Sequence, residues 1–142
     1  MRDEILEEFD AESKTIVQEA LSILNTVLEN LDQFRDLSKY SNAIDRIMGG
    51  AATVAIEYRA DHPLHLVKEY TLVCKVLSLQ LAESDSNREL LKSCVALLVE
   101  ATKIVEKLLK SLHLSATEIS SVIPQNFIFN LSKISDQFKK SK

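Results

Sequence analysis

Few side chains in this sequence are of the types that bind metals or act as nucleophiles. The chain has three histidines and two cysteines, and only Asp61, His62 and His65 lie close together. Imidazole and carboxylate groups are ligands that zinc accepts, but two histidines three residues apart beside one carboxylate are common by chance. Because Pro63 follows His62, we interpret this segment as the start of a helix, with a side-chain cap and then proline in the first turn. We therefore predict no metal site.

The remaining candidates for catalysis are isolated from one another. Cys74 and Cys94 lie on apolar stripes with helical spacing and lack the spacing of a metal or redox motif, so we predict that they are small buried hydrophobic residues. His113 lies near the end of a predicted helix, where positive charge is favourable. No Ser-His-Asp or Cys-His arrangement follows from the spacing, and there is no glycine-rich phosphate loop. We predict no catalytic residue, no cofactor and no small-molecule substrate.

Composition and charge limit the kind of protein this is. A chain of 142 residues, 46% hydrophobic and 27% charged, is long enough for a single domain with one core, which we assign to residues 1–142. A net charge of -4 argues against nucleic acid as a partner, because binding phosphates needs a concentrated basic face. The acidic amino end does not resemble a secretory signal, and the longest charge-free run, Ile119–Ser132, is too short to span a membrane. The sequence predicts a cytoplasmic protein with no membrane partner.

Apolar residues at three- and four-residue steps predict helices along nearly the whole chain. The first helix covers about residues 3–30, and its predicted inward stripe includes Ile5. The third begins at Pro63 and reaches about Glu83, and the fourth begins at a capping box, Ser86–Glu89. After Pro124, a last helix is predicted with Phe127, Leu131, Ile134 and Phe138 as its packed stripe. Because the connections are short, we expect an all-α fold: an antiparallel up-down four-helix bundle with an additional C-terminal helix.

The second predicted helix contains both glycines of the chain, Gly49 and Gly50. Two glycines inside a helix cost about 2 kcal/mol of stability relative to alanines. We therefore expect the glycines to have a role that compensates for this cost. The predicted inward face of this helix consists of Tyr40, Ile44, Ile47, Ala51, Val54 and Tyr58. The outward face then consists of Asp45, Met48, Gly49, Ala52 and Ile56. This face lacks the usual lysines and glutamates, and an exposed apolar patch often marks a contact site. Gly50 lies between the two faces and is expected to allow close packing within the domain.

The stretch Asp45-Arg-Ile-Met48-Gly49-Gly50-Ala51-Ala52-Thr53 resembles the signature of histidine-containing phosphotransfer (Hpt) domains, especially those of chemotaxis-type kinases. That signature reads His-x-x-Lys-Gly, followed by small residues. The resemblance extends to the order and approximate length of the helices on both sides. It implies a bundle whose second helix presents a histidine that accepts a phosphoryl group from a receiver domain or a kinase domain. Gly49 matches the family glycine, which leaves room for the partner, while Asp45 replaces the histidine and Met48 replaces the lysine.

These two replacements disfavour phosphoryl transfer. Transfer needs an in-line nucleophile and positive charge near the transferring oxygens. Asp45 is shorter than histidine and brings a negative charge toward the phosphoryl group. Like charges 4 Å apart cost about 1 kcal/mol in water and about 4 kcal/mol at a protein surface. Met48 is expected to remove the compensating cation, so the sequence predicts that the chain is not an enzyme.

Three functions are compatible with these patterns. The first is a non-phosphorylatable Hpt-like signalling module that binds a response-regulator receiver domain or a histidine-kinase element through the outward face of the second helix. Receiver domains carry an acidic magnesium-binding pocket, where Asp45 would be either repelled or in contact with the ion. The second is an active phosphotransferase that uses His62, His65 or His113. The third is a structural bundle that dimerises through the same outward face.

Overall fold

The described part of the chain forms four long helices, as the spacing of apolar residues predicted. A computed structural model of the chain describes residues 2–58, 62–83, 87–112 and 133. Helix α1 spans Arg2–Glu29, α2 spans Leu37–Ala55, α3 spans Pro63–Glu83 and α4 spans Arg88–Lys110, with a short 3-10 helix at Leu31–Asp36 between α1 and α2. These residues contain no strand. None of the described helices has both the length and the apolar character needed to cross a membrane.

The 3-10 helix, α3 and α4 each begin beside a side chain that accepts hydrogen bonds from free backbone N–H groups, whereas Asp36 at the start of α2 makes no such bond. Asn30 accepts one from Asp32 N at 3.2 Å and so caps the 3-10 helix. The imidazole Nδ1 of His62 accepts one from Leu64 N at 3.2 Å, directly before Pro63 opens α3. Asn87 accepts two at the start of α4. The cap of α4 is therefore Asn87, one residue after Ser86, which the sequence pattern predicted as the cap. The amide oxygen of asparagine can accept hydrogen bonds from the free N–H groups of the first turn as a serine hydroxyl does.

The buried side of α1 is mostly apolar. Val17 and Leu24 are fully buried near its centre, and Phe9 is buried closer to its start. Ile5 was expected on the inward stripe, but half of its surface is exposed. It lies near the start of α1, one turn before the buried Phe9.

The four helices enclose one apolar core. Helix α1 contacts α2 and α4 extensively, and α3 contacts the same two helices. At the centre, the Tyr40 hydroxyl of α2 and the Thr102 hydroxyl of α4 form a buried hydrogen bond of 2.8 Å. The residues predicted to face inward on α2 are buried, except Tyr58, which lies in the turn after α2 and packs against the core while partly exposed. His113 and the packed stripe of the predicted C-terminal helix lie outside the described residues.

Candidate functional site

The outward stripe of α2 is a surface with a gap at its centre. A Cβ built at Gly49 would meet no atom within 4 Å, so this position is open to a partner. Ile56, at the carboxyl end of the stripe, is 81% exposed, while Met48 and Ala52 are partly exposed. Asp45 begins the stripe with a half-exposed side chain. The five residues predicted for partner binding therefore lie along one side of α2.

The adjacent glycine has a different environment. A Cβ at Gly50 would come within 3.0 Å of Cδ1 and 3.1 Å of Cε1 of the Phe9 ring. Ordinary carbon contacts are about 3.5–4.0 Å, so the absence of a side chain at Gly50 lets α1 and α2 approach each other closely. The two glycines are consecutive, yet one leaves space on the surface and the other fits against a ring in the core.

Asp45 forms an ion pair with a lysine from the neighbouring helix. Lys75 Nζ of α3 lies 2.9 Å from Asp45 Oδ1, and the two side chains are 31% and 49% exposed. The Ser41 hydroxyl of α2 donates to the Lys75 carbonyl at 3.4 Å, which helps to fix α2 and α3 at this level. The expectation that Met48 leaves this position without a cation is therefore wrong. The positive charge comes from a residue 30 positions away in sequence.

Helix α3 extends the exposed surface beside Asp45. Leu72 lies one turn before Lys75 and is 46% exposed, although large apolar side chains in the described helices are mostly buried. Lys68 lies one turn before Leu72 and is exposed. We name the α2–α3 face as Asp45, Met48, Gly49, Ala52 and Ile56 of α2 with Lys68, Leu72 and Lys75 of α3. The three α3 residues were missed by sequence reasoning, although their three- and four-residue spacing, away from buried residues such as Tyr70 and Leu77, was a signal for them.

In each of the two described histidines, one ring nitrogen is engaged or buried. The ring of His62 packs against the Tyr58 ring with centroids 4.3 Å apart, and its Nδ1 is occupied by the cap at Leu64 N. The Nε2 atom of His65 is buried without a hydrogen-bond partner, so a phosphoryl donor has no access to it. No group of three histidine, cysteine or acidic side chains suited to a metal ion occurs among the described residues.

The two cysteines are buried and free, as predicted. Burial raises the pKa of the Cys74 thiol from 9.0 to about 12, although the adjacent Tyr40 hydroxyl opposes this shift by hydrogen bonding. Burial also raises the pKa of Cys94, to about 11. Both thiols are therefore protonated at neutral pH, and a protonated thiol is neither an effective nucleophile nor a metal ligand.

A second surface feature is an open groove between α1 and α2, about 550 Å³ in volume. It is lined by Glu19, Ser22, Ile23, Lys39, Asn42, Ala43 and Arg46. Arg46 Nη2 lies 2.8 Å from Glu19 Oε2 across the groove, and Lys39 is 3.7 Å from Asp36. Because both cations of the groove have carboxylate partners, the groove offers no unpaired charge to a ligand.

Comparison of the chain with protein-family models, with curated proteins and with solved structures gave no match in any of the three. A function for this chain therefore has to be inferred from the geometry of the α2–α3 face.

Proposed function

We propose that this chain is a non-phosphorylatable Hpt-like signalling module in two-component (phosphorelay) signal transduction. It binds a response-regulator receiver domain or a histidine-kinase element through the outward face of α2. The observation that carries the proposal is the open surface at Gly49, which lies one turn from the half-exposed Asp45 and two turns before the exposed Ile56. A helix-interior glycine with empty space above it gains nothing for the folded monomer, whereas it gives a partner's backbone a close approach.

The chemistry at Asp45 supports binding rather than transfer. Its carboxylate is already held by Lys75 at 2.9 Å, so the nearest cation is engaged by the residue that occupies the phosphoacceptor position. An approaching phosphoryl group would meet the negative charge of Asp45 and would have to share Lys75 with it. In this proposal the module has no catalytic residue, cofactor or small-molecule substrate, and it acts by occupying its partner in the cytoplasm.

The proposal includes an antiparallel up-down order of the four helices. Two observations support this order for α1 and α2. Glu19 pairs with Arg46, whereas Phe9, nearer the start of α1, packs on Gly50, farther along α2. The connections at residues 56–62 and 84–87 are short, which favours antiparallel neighbours. The C-terminal helix with Phe127, Leu131, Ile134 and Phe138 stays a prediction of the sequence pattern.

Binding to a panel of purified receiver domains and histidine-kinase domains from the same organism tests the proposal. Gly49→Leu adds a large side chain at the centre of the face, and Ala96→Leu adds the same side chain at an exposed position of α4. We expect wild type and Ala96→Leu to bind at least one panel member in biolayer interferometry, and Gly49→Leu to bind it at least roughly tenfold more weakly, the effect of one lost or obstructed anchor. The proposal fails if no panel member binds the wild type, or if Gly49→Leu binds as tightly as Ala96→Leu.

The same samples decide between the two alternative functions. An acid-labile phosphate on a histidine after incubation with a phosphorylated receiver domain, detected by intact mass, would replace the binding module with an active phosphotransferase. A stable dimer in sedimentation velocity that Gly49→Leu dissociates would replace it with self-association through the same face.

A further inference from the structure

The α2–α3 face carries a different charge balance from the rest of the chain. The whole chain has a net charge of -4, whereas this face presents two lysines and one aspartate. Lys68 and Lys75 are seven residues apart, which is close to two helical turns, so both project from the same side of α3. That side is the one next to α2, because Lys75 reaches Asp45. Leu72 lies between the lysines and is half exposed.

Neither lysine is strongly held in the isolated chain. Lys75 is paired with Asp45, but both side chains are partly exposed, and exposed pairs contribute little to stability. The Lys75 ammonium also has three donors, so it can keep Asp45 and still bind an incoming carboxylate. Lys68 is exposed and forms no ion pair with any other described residue. Both charges are therefore available to a partner.

We infer that the docking surface continues from α2 onto α3, and that Lys68 and Lys75 select a partner protein with an acidic rim around an apolar centre. This inference rests on the proposed function. It adds to that function the sign of the partner's charge and the two lysines that recognise it. Met48, Ala52 and Leu72 supply the apolar part of the contact, and the lysines supply positive charge beside it. Charged groups across an interface mainly raise the association rate and exclude partners of the wrong sign.

An acidic protein fits this surface better than a nucleic acid does. A duplex-binding protein typically neutralises about 6–10 phosphates, whereas only two lysines flank the apolar residues here. The apolar centre also matches the anatomy of protein interfaces, in which a buried apolar core is surrounded by a polar rim.

Charge reversal tests the inference with the panel member that binds. Lys68→Glu and Lys75→Glu are compared with Lys103→Glu, which reverses an exposed lysine on α4. We expect either face variant to lower the association rate by roughly tenfold or more at low salt, because steering by local charge is of that order. Lys103→Glu is expected to leave the rate nearly unchanged. Asp45→Asn removes one negative charge at almost constant shape and is expected to raise the rate, and added salt should reduce the wild-type rate.

The outcomes separate this inference from the proposed function. If Gly49→Leu abolishes binding while Lys68→Glu and Lys75→Glu bind as Lys103→Glu does, the α2 face stands and the α3 extension is overturned. If either charge reversal strengthens binding, the partner is basic at this rim and the inference is overturned. If no panel member binds the wild type, or Gly49→Leu binds normally, the proposed function itself fails. Circular dichroism of each variant checks that the helices are intact.

Discussion

Replacing each glycine of the pair by alanine, one at a time, tests whether they have the separate roles that their surroundings indicate. Both positions lie inside α2, so each substitution gains about 1 kcal/mol of helix propensity. At Gly49 nothing opposes this gain, because the added methyl group meets no atom within 4 Å. Gly49→Ala is therefore expected to raise the free energy of unfolding by up to about 1 kcal/mol, or the melting temperature by roughly 3 °C.

At Gly50 the same gain is opposed by the Phe9 ring. The new Cβ would lie 3.0 Å from Cδ1, about 0.5 Å closer than an ordinary carbon contact. Phe9 is almost fully buried, so the ring or α1 has to move, and overpacking of this kind costs about 1–3 kcal/mol. The net effect of Gly50→Ala is expected to lie between about zero and a loss of about 2 kcal/mol. The two variants should therefore differ by about 1–3 kcal/mol.

Urea unfolding followed by far-ultraviolet circular dichroism measures both free energies, with equal m-values as the check that the unfolded states are comparable. Repeating both substitutions in a Phe9→Leu background supplies the control. Without the ring, Gly50→Ala should raise the free energy of unfolding nearly as much as Gly49→Ala does. The difference between the effects of Gly50→Ala in the two backgrounds is the coupling energy between Phe9 and Gly50. Equal stabilisation by the two alanines in the wild-type background would refute the packing role of Gly50, and destabilisation by Gly49→Ala would refute the open surface at Gly49.

Two further predictions concern the core. Because burial raises the pKa of Cys74 to about 12 and that of Cys94 to about 11, unfolded thiols lose their protons near their ordinary pKa of 9.0 while the folded ones keep theirs. Stability from this source is therefore complete below about pH 9 and is lost as the pH rises toward the folded values. Urea midpoints under reductant should fall between about pH 8 and about pH 10, and less steeply in Cys74→Ala; identical slopes would contradict this. The buried Tyr40–Thr102 hydrogen bond predicts a coupling of about 1 kcal/mol in a double-mutant cycle of Tyr40→Phe and Thr102→Val, measured by urea unfolding. A coupling near zero would show that the two hydroxyls do not stabilise each other.

Local patterns in the sequence predicted much of the helical structure and one side of the candidate site. The spacing of Tyr40, Ile44 and Ile47 identified the buried side of α2, and the opposite side contains the open position at Gly49. These predictions succeeded because a helix repeats every 3.6 residues, so the face of a residue follows from its neighbours in the chain. Two local expectations were wrong: Ile5 has the inward spacing but is half exposed, and Asn87 caps α4 in place of Ser86.

Interhelical partners could not be predicted in this way. Lys75 supplies the cation beside Asp45, and it is 30 residues away. Nothing near Asp45 in sequence indicates it, because the level at which α3 meets α2 depends on how the side chains of both helices interlock. The same holds for Phe9 and Gly50, whose close contact decides which of the two glycines is needed for packing.

The sequence by itself determined the four described helices, the inward side of α2 and the bare stripe opposite to it, because these depend on residues within a few turns of one another. Only the tertiary structure decided that Asp45 is paired, that Leu72 and two lysines continue the exposed face, and that Gly50 accommodates a ring while Gly49 stays open. The physical reason is that side-chain packing over the whole core sets the relative positions of the helices. The residues of one helix alone do not indicate where another helix packs against it.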